Sequence, residues 1–283
     1  MQTNLRSLDV ALDSSPAVEM SKVTKQFDSQ NVLCGIDLKV MSGEIYGLLG
    51  PNGAGKTTII KTIAGITEPT SGSVRVLGLD SRTQSTAIKS RIGYVPETSI
   101  LYDSLSPRDF FEFVGSIRGM DASSANEKIA RLTEAFGLSE YFDSPIATLS
   151  LGTRQKISII ASLMHEPRLL LLDEPLNGLD SRSSRIVKDL ISIHARKRSG
   201  AVLFSTHIME IAERICDRIG IIYNGKLVAE GTFQELRRKA REISANLDES
   251  RATLEEVFLK LTNEEAEIAE TVRILRETFV ATR

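Results

Sequence analysis

Two adjacent acids, Asp173 and Glu174, end an unbroken apolar run, Leu169-Leu170-Leu171-Leu172. Burying an unpaired carboxylate is costly, so two of them at the end of a buried strand need an electrostatic partner. A divalent cation for Asp173 and a water to be activated for Glu174 would supply it. A second group fits the spacing G-x-x-x-x-G-K-[ST]: Gly50-Pro51-Asn52-Gly53-Ala54-Gly55-Lys56-Thr57-Thr58. Glycines at those positions let the backbone curl until successive N–H groups converge, and a following helix N-terminus adds partial positive charge. In this pattern Lys56 reaches the outer phosphates of a phosphate chain and the Thr57 hydroxyl holds Mg²⁺. The two groups together predict metal-assisted chemistry on a phosphate chain.

The elements around them must bring these residues together. Ile45 to Leu49 is a short apolar run that predicts a buried strand, and Thr58 to Ala64 carries Ile59, Ile60 and Ile63 at helical spacing. A strand over Ile92 to Val95 ends at Pro96-Glu97, and another over Ala201 to Phe204 leads into Ser205-Thr206-His207. Glu97, Asp173 and His207 therefore all follow strand C-terminal ends, the edge where open α/β sheets bind ligands. His165 and His194 have no such placement and read as structural. Ser150 and Gly152, in Leu149-Ser150-Leu151-Gly152-Thr153-Arg154-Gln155, stand before a helix carrying Ile157, Ile160, Ala161 and Met164. They make a second anion-binding candidate, although a serine there is also an ordinary cap.

Between these motifs the chain changes character. Residues 98–148 give no strand signal: Ser106-Pro107 starts a helix through Phe110, Phe111 and Ile117, and Ala125 to Phe136 is a second amphipathic helix. They predict a helical subdomain inserted over about 98–165, with Phe110 and Phe111 in its core. Val18 to Val23 and Ile36 to Val40 predict a hairpin-like pair, and Phe27 beyond the first could be core or could stack on a purine. Ser183 to Arg198 reads as a helix ended by Gly200, and Ile219 to Glu230 as a hairpin across Asn224-Gly225. Thr253-Leu254-Glu255-Glu256 is a capping box, followed by a charged helix with Ile268, Val272, Leu275 and Phe279 on one side. The domain plan is a loose extension over 1–15, a main domain over 16–247 and a helical tail over 248–283.

The 283 residues are 41% hydrophobic and 25% charged, which suits a globular protein, and a net charge of −2 gives no reason to expect nucleic acid. Cys34 and Cys216 stand alone and read as reduced thiols in a cytosolic protein. No apolar run approaches the roughly 20 residues of a membrane helix, so a membrane role is expected to come through a partner. The basic clusters Arg196-Lys197-Arg198 and Arg237-Arg238-Lys239 read as solvated helix faces.

From Val18 to Gly231 the motifs, in their order, resemble the ATP-binding subunits of ABC transporters. Gly50 to Thr57 looks like Walker A, Leu169 to Asp173 like Walker B, and Glu174 like the catalytic glutamate. Leu149 to Gln155 resembles the signature, Leu179-Asp180 the D-loop and His207 the switch histidine. The resemblance implies an α/β fold, a P-loop NTPase core with an antiparallel β subdomain and an inserted helical one. It also implies ATP and Mg²⁺ as cofactors, a transmembrane permease and a second ATP-binding subunit as partners, and a cytoplasmic, membrane-peripheral location. Phe27 would stack on adenine. Gly50 to Thr58, Ser150, Gly152 and Asp180 would contact ATP, and Thr57, Glu97 and Asp173 would hold the metal. Tyr94-Val95-Pro96-Glu97 and Leu254-Glu255-Glu256-Val257-Phe258-Leu259 are similar to the multidrug and ABC-2-type exporter branch. Two motifs depart from the family pattern, at Leu151 and Thr153 in one and at Glu97 in the other. The signature reads Leu-Ser-Leu-Gly-Thr rather than Leu-Ser-Gly-Gly-Gln, and Glu97 replaces the glutamine of the Q-loop. A soluble ABC ATPase without a transporter, and an ATP-binding regulatory module with little turnover, stand as alternatives.

Overall fold

The computed structural model describes residues 15–196, 200–243 and 252–280. The extension expected over 1–15 lies outside them except for Ser15, as do Lys197, Arg198 and residues 244–251. Strands β1 (Pro16–Phe27) and β2 (Gln30–Met41) pair antiparallel with Val18 opposite Val40 and Phe27 opposite Gln30. Both are longer than their apolar alternation predicts. A register shift between Met20 and Val23, with Lys22 at φ 49°, interrupts the period of two, and pairing resumes beyond it with Val23 opposite Ile36 and Lys25 opposite Leu33.

Strand β3 (Ile45–Leu49) is buried along its whole length and leads through the glycine-rich loop into α1 (Lys56–Ile63). Strands β4 (Ser71–Val76) and β5 (Leu79–Asp80) return to β1 and complete a four-stranded sheet, β2-β1-β4-β5. After α2 (Ser85–Lys89) comes β6 (Ile92–Val95), and then helices α3 (Pro107–Ile117), α4 (Ala122–Ala135) and α5 (Leu151–Leu163). Ser106 caps α3 in a reciprocal capping box with Asp109, and Pro107 takes the first turn. Phe110 and Phe111 are buried in the core of this helical region, against Ile129, Ile157 and Met164.

The rest of the chain alternates: β7 (Leu169–Asp173), α6 (Ser181–Ala195), β8 (Ala201–Thr206), α7 (Met209–Ile215), β9 (Arg218–Tyr223), β10 (Lys226–Gly231) and α8 (Phe233–Ile243). Helix α6 starts two residues before Ser183, because Asp180 supplies the cap by accepting from the Ser183 N–H. The second sheet has the order β10-β9-β3-β8-β7-β6, parallel except for β10, which turns back at Asn224 (φ 47°) and Gly225 (φ 72°). Paired positive φ values of that kind define the tight hairpin turn that Asn-Gly favours.

One core lies between the two sheets around α1, and a second joins the inner face of the parallel sheet to α3–α6. In a third, Leu254, Val257 and Phe258 of α9 (Leu254–Thr262) meet Leu49, Ala212, Ile221 and Leu236. The first helix of the tail is thus part of the globular body, while α10 (Glu264–Val280) packs chiefly against α9. The fold is α/β, with an antiparallel sheet and a helical region flanking a parallel sheet. Among the described residues no helix is long and apolar enough to cross a membrane.

Candidate functional site

Every parallel strand that carries a candidate residue ends at the same edge, so the fold gathers Lys56, Glu97, Asp173, Glu174 and His207 there. Pro51, Asn52, Gly53, Gly55, Lys56, Thr57 and Thr58 line a cleft of about 530 Å³ with Glu97, Glu174 and Val32. Gly53 and Gly55 adopt φ of 80° and 111°, a region where a side chain is strained. Gly55 is also the N-cap of α1 and gives it no side-chain cap, which leaves the first N–H groups of the helix for an anion. A Cβ at Gly50 would run into the Ile222 carbonyl, so this loop sits hard against β9. Ala54 faces away from the cleft: it is buried, and its carbonyl accepts from the Gly225 N–H at 3.1 Å.

Lys56 is almost fully buried, and its ammonium donates to the Gly50 carbonyl at 2.7 Å and the Pro51 carbonyl at 3.1 Å. It stands 3.6 Å from Glu174 Oε1. Glu174 takes φ 47° immediately after β7, an uncommon conformation for a residue with a side chain. Its second oxygen, Oε2, lies 3.0 Å from His207 Nδ1, so the half-exposed imidazole and the buried carboxylate share one hydrogen bond.

Ser205, which the sequence reading passed over, organises the acids. Its hydroxyl donates to Asp173 Oδ1 at 2.6 Å and accepts from the Glu174 N–H at 3.0 Å. A serine directly after an apolar strand and two residues before a candidate histidine was the available signal. Among the described residues Asp173 Oδ2 is buried without a hydrogen-bond partner, and so is Glu174 Oε1 apart from the Lys56 charge. Two orphaned carboxylate oxygens, with Thr57 in the wall of the same cleft as Glu174, supply oxygen donors of the kind that Mg²⁺ takes. Glu97 adds a further carboxylate to the cleft wall. Burial, followed by the charges of Asp173 and Glu97, pushes the Tyr94 phenol up to about 12.

The remaining candidates stand elsewhere. Phe27 is about half exposed at the end of β1, with the Lys25 ammonium 4.6 Å from its ring centre, while Val32 of β2 lines the cleft. Ser150 caps α5 by accepting from the Thr153 N–H, and neither it nor Gly152 reaches the cleft of its own chain. Gly152 packs on the loop before α6, where an added Cβ would lie 2.5 Å from the Gly178 carbonyl. Asp180 caps α6, and its hydrogen bonds from the Ser183 N–H and hydroxyl hold its carboxyl down at about 2. Gln155 accepts from Ser99 at 2.6 Å and reaches the Pro175 carbonyl at 3.4 Å, linking α5 to the segment after Glu174. His165 is structural, its Nε2 lying 2.9 Å from the Ile92 carbonyl. Arg237 and Lys239 are engaged by the Ala252 and Glu230 carbonyls.

A phosphate loop between β3 and a buried helix, with acids at the end of β7, one strand removed from β3 across β8, defines a P-loop nucleotide-binding fold. The family model described as ABC transporter matches residues 33–177. The chain is 38% identical over 248 residues to the probable multidrug ABC transporter ATP-binding protein YbhF of Escherichia coli, covering 87% of this chain and 42% of that relative. It is 35% identical over 225 residues to the bacitracin transport ATP-binding protein BcrA of Enterococcus faecalis, covering 80% of this chain and 72% of that one. A solved structure of an ATP-binding subunit of an ABC transporter superposes with a TM-score of 0.79 at 30% identity, over 87% of this chain and 99% of the other. The chain belongs to the family of ABC transporter ATP-binding proteins.

Proposed function

We propose that this protein hydrolyses ATP to ADP and phosphate and that a separate transmembrane permease, an exporter, uses the resulting cycle of dimer closure and reopening. The observation that carries the chemistry is Glu174, held by His207 on one oxygen and by the charge of Lys56 near the other. Such a carboxylate is placed to accept a proton from an attacking water, with His207 keeping that water and the outer phosphate in register. Lys56 and the loop N–H groups bind the phosphates. Thr57, Asp173 and Glu97 would hold Mg²⁺, which when bound neutralises phosphate charge. The adenine is assigned to Phe27.

Ser150 and Gly152 face away from the cleft of their own chain, which supports a head-to-tail arrangement in which they and Asp180 complete the ATP site of a second subunit. The permease is assigned to an open groove of about 890 Å³ between the helical region and the sheet, lined by Ile66, Tyr94, Pro96, Ile100 and Ile117 among others. Pro96 borders Glu97, so this groove adjoins the nucleotide cleft. The relatives named for multidrug and bacitracin transport support the exporter reading. A cytoplasmic location on the inner membrane face follows from it. The working unit proposed is 16–247, with a helical subdomain over about 98–165 and the 248–283 tail attached.

Glu174→Gln tests the chemistry: turnover should fall on the order of 10²-fold or more, the scale of a general base, while calorimetric ATP affinity persists. Turnover within twofold of the parent would overturn the role of Glu174. In the Glu174→Gln background ATP, but not ADP, should tighten the dimer in sedimentation, because only ATP presents a terminal phosphate to the facing helix N-terminus. Ser150→Arg should abolish that tightening while leaving ATP affinity intact.

A further inference from the structure

Helix α10 carries an apolar seam that the described residues of its own chain leave uncovered. Ile268, Val272, Leu275 and Phe279 are 46%, 39%, 49% and 77% exposed, whereas Leu254, Val257 and Phe258 of the preceding helix are buried. Their spacing of four, three and four residues returns to one line of the helix every 3.5 residues, the pattern of a seam that meets another helix. Arg273 is bonded to Glu270 and Glu277 of its own helix, next to the seam and not in it.

The charge of the helix says what can cover the seam. From 264 to 280 there are five glutamates and two arginines. An amphipathic helix that lies on an anionic membrane surface needs the opposite balance. The charges are also divided along the axis: 264–270 hold four glutamates and no base, and 271–279 hold two arginines and one glutamate. A parallel pair would set acids beside acids. An antiparallel pair instead carries the two acidic segments to opposite ends of the contact, so that the acids at 264–267 of the two helices stand apart.

We propose that α10 pairs antiparallel with α10 of a second copy of this chain. A two-fold axis midway between residues 273 and 274 would set Ile268 opposite Phe279 and Val272 opposite Leu275, a self-complementary contact. The seam is about two heptads long, shorter than an isolated helix pair needs for stability. It therefore acts as an attachment between two bodies, raising the effective concentration of one subunit near the other. The contact needs no nucleotide, which separates it from the ATP-dependent closure proposed above.

Cysteine cross-linking of the full chain tests this, with the exposed Cys34 replaced by serine. An equal mixture of Ile268→Cys and Phe279→Cys proteins, oxidised without nucleotide, should give disulfide-linked dimer about tenfold above either protein alone. The excess should persist in the Lys56→Ala background and vanish when Val272→Glu and Leu275→Glu are added, with ATPase activity unchanged by those two seam substitutions. No excess in the mixture, equal self-cross-linking of Ile268→Cys, or cross-linking that survives the two glutamates would overturn the pairing. Loss of the ATP-dependent tightening with the cross-link retained would sink only the closure model; the converse would sink only the α10 pair.

Discussion

Ser205 holds the acidic pair in place with one hydroxyl, donating to Asp173 and accepting from the Glu174 backbone. Ser205→Ala leaves Asp173 Oδ1 without its donor inside a buried site, where an unmet polar group costs about 1–3 kcal/mol. Thermal unfolding should show that loss, and turnover should drop alongside it; a variant with parental stability and rate would mean the hydroxyl is incidental. Glu97→Gln removes one negative charge from a cleft that already holds Glu174 above the buried Asp173. Half-saturation by Mg²⁺ should then require about tenfold more metal, the scale of one charge-assisted contact, while metal-free ATP binds more tightly. Titrating Mg²⁺ against nucleotide affinity separates the two effects, and movement of both in the same direction would contradict the assignment. At His165, burial and then the Arg118 charge lower the imidazole from its ordinary value of 6.5. The unfolded chain therefore takes up that proton first, so the stability tied to His165 is complete above about pH 6.5 and is lost as pH falls below it. His165→Gln should flatten the stability profile in that window.

Among the elements, the N-terminus of α5 is held by close backbone contact as well as by its cap. Gly152 lets the Gly178 carbonyl approach to where a Cβ would be only 2.5 Å away. Gly152→Ala must push α5 from the loop before α6, an overpacking cost of about 1–3 kcal/mol. Because Gln155 bonds that helix to the Pro175 carbonyl, the shift should also reach the segment after Glu174 and lower turnover. A denaturant midpoint equal to the parent's would show that the helix end has room to move. Helix α9 has a comparable place behind the segment that follows His207. Leu254 is fully buried in the cluster that contains Ala212 of α7, and its N–H donates to the Glu213 carboxylate at 3.3 Å. Leu254→Ala should cost about 2–5 kcal/mol, as for other buried leucines.

For the molecule as a whole, the question is how a cleft at one sheet edge is read elsewhere. The open groove and the cleft meet at Pro96 and Glu97, at the end of β6, and Ile100 and Ile117 expose large apolar side chains beside it. Glu at either position should leave the isolated subunit's basal hydrolysis within about twofold of the parent, because neither residue touches the cleft, and substitutions at exposed sites are mild. Binding to the cognate permease in a pull-down should instead be lost. Retained binding by the double variant would move the docking surface elsewhere.

Local chemistry was legible in the sequence wherever a residue type and its neighbours settle the backbone. The phosphate loop needs glycines at Gly53 and Gly55 because those φ values exclude most side chains. Asn224-Gly225 makes its own turn, and Ser106 and Thr253 cap their helices through contacts three residues away. Apolar runs such as Leu169–Leu172 announced buried strands, and from strand ends the sequence also placed Glu97, Asp173, Glu174 and His207 at one edge. What it did not contain was the neighbour relations across that edge. Strand order puts β7 beside β8, and only this brings Ser205 to Asp173 and His207 to Glu174, over 32 and 33 residues of chain. The same holds for Val32, drawn to the cleft by the Asn224-Gly225 turn, whose Gly225 carbonyl accepts from the Cys34 N–H. It holds again for α9, whose apolar stripe fits a core but does not say which one. Sequence spacing fixes contacts within a turn of helix or hairpin, whereas partners brought together by sheet order are chosen by the packing of the entire chain.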